Sequence, residues 1–393
     1  MRRGTCRRAL LASAVAVCGG LSARAAPPGV LDALPAGASA AGFAEAQAVR
    51  RFEFPRDHGP HREFRQEWWY LTGNLDAVSG ERFGFELTFF RYALAPPAPD
   101  SGAAAATAAT AANKTAPAGQ RSAWRSSEIF MAHFAVTDVG RRRFRFSQKL
   151  SREALGLAGA ETEPLRVWID DWTLTAAGTR WTLHAGQQDY VIDLSLEPLG
   201  APVLNGDAGL SRKAADPGAA SYYYSIPRLA VRGRLWRAGE PLAVSGLAWL
   251  DREWGSGGLG AGQTGWDWYA LQLDDGSALM FYALRRRDGR PDPFSAGTWI
   301  DPGGEIRRLG STDVDIAATG SWRDGAGARY PAAWRLRVRP LALEVAVKPV
   351  LADQELRTRP RYWEGAVDVS GQRDGRALRG RGYVELVGYA PER

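Results

Sequence analysis

From Arg51 onward, apolar and polar residues alternate in short runs with a period of two, and turn residues separate the runs. Trp69 to Leu75 reads as a strand, Ala77 to Arg82 as a turn, and Phe83 to Phe90 as a second strand, which together predict a hairpin. Further strands are expected at Glu128–Val136, Arg143–Ser147, Leu165–Leu174, Thr179–Ala185, Tyr190–Glu197, Tyr222–Leu235 and Val244–Leu250. No long segment with a 3.6-residue period interrupts them, so the expected fold class is all-β. Two stretches break the pattern. Residues 26–47 are rich in Ala, Pro and Gly and read as a linker, with a short helical turn expected over Phe43–Arg50. Residues 94–121 are Ala-, Pro- and Thr-rich low-complexity sequence, too poor in large apolar side chains to build a core.

The second half echoes the first. Trp69-Tyr70…Leu75-Asp76…Phe83-Gly84-Phe85 matches Trp268-Tyr269…Leu273-Asp274…Leu279-Met280-Phe281, and both hairpins end in arginine, at Arg91 and Arg285. Gly246 to Asp251 matches Gly380 to Glu385. These repeats predict two antiparallel β units, 48–257 and 258–393. At roughly eight to ten strands each, such units close into barrels able to hold one small ligand.

Residues 1–25 have the form of an export signal. Arg2, Arg3, Arg7 and Arg8 precede an apolar run, Ala9 to Val17, and Ala23-Arg24-Ala25 is a small-residue cleavage site. The expected location is periplasmic or secreted, with acylation at Cys18 as the alternative that would anchor the chain to a membrane. Removing this segment changes the charge picture. The whole chain carries +7, but five arginines leave with the signal, and 45 basic residues then face 43 acidic ones. The basicity is therefore no argument for nucleic acid. Both cysteines, Cys6 and Cys18, leave as well, which excludes disulfides and a cysteine nucleophile in the mature chain.

Fifteen tryptophans suit a core or a pocket for a bulky apolar ligand. The run Asp57-His58-Gly59-Pro60-His61 with Glu67-Trp68-Trp69-Tyr70-Leu71-Thr72-Gly73-Asn74-Leu75 resembles the AttH / carotenoid 1,2-hydratase family. So do Met131-Ala132-His133-Phe134-Ala135, Trp249-Leu250-Asp251-Arg252-Glu253-Trp254-Gly255 and Tyr362-Trp363-Glu364-Gly365. The resemblance covers nearly the whole mature chain. It implies two tandem lipocalin-like antiparallel β-barrel domains, and activity on an apolar alkene in the hydratase branch. It also implies a functional link to a membrane transporter in the AttH branch. The hydratase branch's mid-chain motif reads Asp-His-Asn-Trp-Gly. Here Arg252 stands in place of its histidine, and a permanently protonated guanidinium cannot exchange a proton. Asp251 or Glu253 would have to take that role.

Four candidates for acid–base work follow: Asp251, Glu253, Glu67 and His133. For each, a structural role competes. Glu67 is either an acid inside a barrel or the partner of Arg91 or Arg252. Asp251-Arg252-Glu253 forms either a solvated rim or a buried network at a domain seam. His133 is either a core histidine or a base facing a pocket. Trp68, Trp69, Tyr70, Trp254, Trp266 and Trp268, with Arg91 and Arg252, are the expected ligand-binding set. His58-x-x-His61 with His133 and Glu67 fits no strong zinc spacing, so no metal and no cofactor are expected. No G-x-S-x-G elbow occurs, so a serine hydrolase is not expected. The expected partner is a hydrophobic small molecule or lipid, either carried or changed by acid–base chemistry such as hydration or isomerisation.

Overall fold

The computed structural model describes residues 40–97 and 127–390. The export segment, Cys18, residues 26–39 of the linker and residues 98–121 of the low-complexity stretch lie outside the described residues. The strands fall into two antiparallel sheets. The first holds β1 (Gln66–Ala77), β2 (Arg82–Ala93), β3 (Glu128–Asp138), β4 (Arg143–Arg152), β5 (Ala158–Thr162), β6 (Leu165–Ile169) and β7 (Trp172–Ala177). It continues through β8 (Arg180–Gln187), β9 (Tyr190–Pro198), β10 (Val203–Leu204), β11 (Leu210–Arg212), β12 (Ala220–Arg237) and β13 (Glu240–Gly255). The second holds β14 (Gln263–Leu273), β15 (Ala278–Arg286), β16 (Ala296–Ile300), β17 (Ile306–Gly310), β18 (Val314–Arg323), β19 (Arg329–Val338), β20 (Leu343–Pro349), β21 (Glu355–Leu356), β22 (Tyr362–Arg373) and β23 (Arg376–Val387). Each sheet curls nearly closed into a barrel, so the all-β, two-barrel expectation holds.

Some expected boundaries move. The single strand expected at Leu165–Leu174 is two, β6 and β7, because Asp170 turns the chain with a φ of 53°. The strand expected to stop at Leu250 runs on to Gly255, so Asp251, Arg252 and Glu253 sit within β13 and are buried, not on a solvated rim. Phe43–Arg50 contains no helix; 3-10 turns fall later, at Arg56–His58 and Arg339–Leu341.

The pleat decides what each strand buries. On β1, Trp69, Leu71 and Leu75 point into the first barrel and have no exposed surface. Burial of each such side chain stabilises by about 1.5–3 kcal/mol. Trp68 and Tyr70 point the other way. On β14 the same alternation sends Tyr269, Leu271 and Leu273 into the second barrel and Trp266 and Trp268 outward. The two outward faces pack against each other. Tyr70, Tyr223, Trp249, Trp268, Met280 and Tyr383 form an apolar cluster of their own there, distinct from either barrel core.

Polar links stitch this seam. Gln272 Nε2 donates to the carbonyls of Pro227 and Ala248 at 2.7 and 2.9 Å. Tyr70 donates its hydroxyl to Glu364 Oε1 at 2.7 Å, while the other oxygen of Glu364 is buried without a partner among the described residues. Burial, with repulsion from Glu385 and Glu86, holds the Glu364 carboxyl well above its ordinary pKa. Tyr70→Phe removes its hydroxyl donor and should cost about 1–3 kcal/mol in urea unfolding. An unchanged unfolding free energy would mean that this bond carries no load at the seam.

Candidate functional site at the seam

The seam is not packed solid. A cavity of about 270 Å3 opens between the sheets, floored by β1, β2, β12 and β13 on one side and β14, β15, β22 and β23 on the other. Trp68, Phe90, Tyr92, Trp266, Trp268 and Leu284 supply most of its apolar wall. Asp251, Glu253, Glu385 and Lys213 supply its charge. The acids come from the register. β13 pairs with β1 so that Asp251 lies opposite Tyr70 and Glu253 opposite Trp68, and β23 pairs with β14 so that Glu385 lies opposite Trp268.

Asp251 is held by three donors. Ser225 Oγ and Trp249 Nε1 donate to Oδ1 at 2.5 and 2.7 Å, and the Tyr223 hydroxyl donates to Oδ2 at 2.5 Å. Burial nevertheless pushes its pKa up to about 7, against the pull of those hydrogen bonds. Glu385 behaves alike. Burial pushes it up to about 7, the Trp266 N–H donating at 2.8 Å pulls the other way, and Asp251 and Glu253 add repulsion. Glu253 accepts a short hydrogen bond from Ser221 and an ion pair from Lys213 at 3.1 Å. Burial works against the Lys213 charge, but Glu253 carries its pKa above the ordinary lysine value. Lys213 also lies 4.1 Å from the centre of the Tyr282 ring, a cation–π contact that fixes the ammonium. The cavity thus presents two carboxyls poised near neutrality, one fixed cation and an indole wall.

Glu67, Arg91, Arg252, Trp69 and Trp254, expected above to serve a ligand or the chemistry, lie elsewhere. The pleat puts them on the opposite face, inside the first barrel, away from the seam cavity. There Glu67 is buried between Arg91 and Arg252 and bonded to both, and it accepts the His61 backbone N–H at 3.0 Å. Burial opposes its charge, but the two guanidiniums hold its pKa well below the ordinary value. A carboxylate so held cannot donate a proton, so its catalytic assignment is corrected to a structural one. Arg252 lies 3.9 Å from the centre of the Trp69 ring, and His61 stacks on Trp254 at 3.7 Å. His133 faces the seam side but is fully buried behind the cavity wall, its Nδ1 2.7 Å from the Tyr362 hydroxyl. Burial pushes its pKa down to about 3, too low for a base near neutral pH. His61 lies beside Glu67, its Nδ1 3.6 Å from Oε2, but His133 is on the opposite face of the sheet, so the histidines and Glu67 do not converge on one site.

A family model for AttH-like proteins matches residues 45–389. The chain belongs to the AttH-like family. A solved AttH from Nitrosomonas europaea is 35% identical, with a TM-score of 0.74 over 88% of this chain and 100% of that one. Kievitone hydratase from Nectria haematococca shares the fold at 14% identity, with a TM-score of 0.64 over 88% and 96% of the two chains. Among curated proteins, the dehydratase asqC of Emericella nidulans is 25% identical over 221 residues, 53% of this chain. The alignment spans 61% of that relative's length.

In this AttH-like chain the structure brings together six of the sequence candidates: Asp251, Glu253, Trp68, Tyr70, Trp266 and Trp268. Lys213, Tyr223 and Glu385 were missed. For Glu385 the signal was present, since the internal repeat aligns it with Asp251. Lys213 comes from a loop without a motif.

The two raised carboxyls predict a pH dependence of stability. Asp251 and Glu385 titrate near 7 when folded and near ~4 when unfolded. Between these values the folded chain keeps protons that the unfolded chain releases, so stability should fall as pH rises from about 4 to about 7, then level off. Glu67, whose folded pKa is depressed, acts in the opposite sense and loses its contribution only as pH drops below about 4.5. Thermal unfolding across pH 4–9 should therefore carry a decline toward neutrality from these two carboxyls, offset in part below about pH 6.5 by His58 and His133, which burial keeps neutral. The decline toward neutrality should flatten in Asp251→Asn/Glu385→Gln; an equal decline in that variant would assign it to other groups.

Proposed function

We propose that the chain binds a compact hydrophobic molecule in the seam cavity and adds or removes water across one of its carbon–carbon bonds. The observation that carries this reading is the pair Asp251, buried, and Glu385, half-buried, at repeat-equivalent strand positions, both poised near pH 7 against an indole wall. Dehydration needs one group to take a proton from carbon and another to protonate the departing hydroxyl. The C–H pair becomes the new double bond, the C–O bond breaks, and water leaves. The base ends protonated and the acid ionised, so one proton exchanged between them restores the site. Hydration runs the same steps in reverse. Two carboxyls that both titrate near neutrality leave, around that pH, a population with one protonated and the other ionised, which supplies both roles at once.

Lys213 supports the reading as a fixed cation able to stabilise an enolate or phenolate oxygen. The relationship to a dehydratase supports water transfer as the reaction class. The cavity lies just below the ~300 Å3 at which ligand pockets begin, so it favours a small ring system over a long carotenoid polyene. The N-terminal pattern supports action outside the cytoplasm.

The test is to incubate the chain with compact aromatic β-hydroxy ketones and the corresponding enones in H2(18)O and follow the products by mass spectrometry. Label entering the hydroxyl or water leaving would support the reading. Retention of bound ligand with no exchange would instead favour carriage.

A further inference from the structure

The second barrel carries a cavity that the seam chemistry does not use. It lies on the opposite face of β14 from Trp266 and Trp268, has a volume of about 620 Å3, and opens at the barrel end where β14 begins. Asp267 sits in it with Tyr389, whose hydroxyl is 3.0 Å from both carboxylate oxygens, and with Arg285, 3.0 Å from Oδ1. Trp334 and Ile316 form an apolar wall. The lip is irregular: the pairing of β18 with β19 shifts register on both sides of Gly320. Bulges at barrel rims commonly flank sites.

The first barrel shows what fills this end. Its mouth is covered by the chain's own segment 58–64, whose backbone carbonyls accept from the barrel's donors. Trp69 Nε1 donates to His58 O at 2.9 Å, Arg91 to His61 O and Phe64 O at 2.9 and 2.7 Å, and Arg252 to Gly59 O at 2.5 Å. In the second barrel the indole N–H of Trp334, at the cavity wall, and the hydroxyl of Tyr269 behind it are buried and have no hydrogen-bond partner among the described residues; in the first barrel the indole N–H of Trp254 is likewise unpartnered. Trp334 is 2% exposed and Tyr269 fully buried. Unsatisfied buried donors of this kind are costly, so they mark a place where an acceptor belongs. The volume lies within the ~300–1,000 Å3 of ligand pockets.

The geometry points to a second binding site in the mouth of the C-terminal barrel, for a neutral amphipathic small molecule that offers a carbonyl oxygen to the Trp334 indole N–H and lays its apolar body along Ile316 and the Trp334 ring. The acceptor is neutral because Arg285 is already matched by Asp267, and an anionic head would meet the Asp267 carboxylate. The site stands independently of the seam reading.

The full chain labelled with 5-fluorotryptophan tests this by fluorine NMR. The resonance missing in Trp334→Phe identifies Trp334. Titration with 6-propionyl-2-(dimethylamino)naphthalene, a neutral ketone, should shift that resonance saturably. 2-(Dimethylamino)naphthalene, which lacks the ketone, should bind about tenfold more weakly or less. Ala318→Phe, at the exposed lip opposite Trp334 in the strand register, should abolish the shift without touching the core. A Trp334 resonance unmoved by the ketone, or moved equally in Ala318→Phe, would overturn the site. Equal affinity for both naphthalenes would overturn the carbonyl assignment.

Discussion

Asp251→Asn should lower kcat/KM for water addition or elimination by about 10²–10⁴-fold, the usual contribution of a positioned acid or base. The substitution is nearly isosteric. The amide oxygen still accepts from Ser225 and Trp249, and the amide N–H2 can donate to the Tyr223 oxygen, so the site keeps its shape while losing its proton. Thermal stability should change little, and above neutral pH it should not fall, because the variant no longer ionises a buried carboxyl. Glu385→Gln should produce a loss of the same order. The double variant should lose far less than the product of the two, since the residues act as one unit. The wild-type pH–rate profile should be bell-shaped with its maximum near 7, and each single variant should remove one limb. If Asp251→Asn retains full turnover on a substrate that the wild type converts, the seam acids are not the catalysts.

Glu67→Gln should act in the opposite way, on stability and not on chemistry. Glu67, Arg91 and Arg252 have no exposed side-chain surface, and the carboxylate bonds both guanidiniums. Arg91 also pairs with Glu128 at 2.9 Å, but among the described residues no other carboxylate bonds to Arg252. Removing the central charge leaves two buried cations with one acid between them. Such a break costs about 3–5 kcal/mol, a fall in Tm on the order of 10 °C. The cost is specific to the charge, so Glu67→Asp should recover part of it. Because Arg252 also ties β13 to the segment that covers the barrel mouth, residues 58–64 should exchange their amide protons faster in the variant. A Tm within about 1 °C of the wild type, below the shift expected for 1 kcal/mol, would show that the guanidiniums are satisfied by carbonyls alone.

The sequence showed the fold more fully than the site. Period-two alternation and the absence of helical periodicity specify strands directly, and the hairpin of β1 and β2 falls where the pattern predicts it. The faces were harder. Trp68-Trp69-Tyr70 and Asp251-Arg252-Glu253-Trp254 each read as one cluster, yet the pleat splits them, sending alternate residues to the seam and to the barrel core. Alternation alone does not distinguish an outward face covered by a second sheet from one covered by water. The repeat was also read one residue out of step at its start. Tyr70 and Trp268 are the true counterparts, each opposite an acid, Asp251 and Glu385. At the counterpart of Glu67 stands Gly265, where φ is 148° and a Cβ would meet the Val387 carbonyl and the Arg285 guanidinium. The acid facing Arg285 comes instead from Asp267. Lys213 was illegible because nothing in its loop signals that it reaches Glu253; only the folded chain brings them together.

The most direct measurement needs no substrate. In a chain labelled with aspartate carrying 13C at the side-chain carboxyl, the carbon resonance that is missing in Asp251→Asn identifies Asp251. Its chemical shift, followed from pH 3 to pH 9, should titrate with an apparent pKa near 7. Titration near 4, the value of an exposed aspartate, would contradict a poised acid at the seam and with it the proposed chemistry.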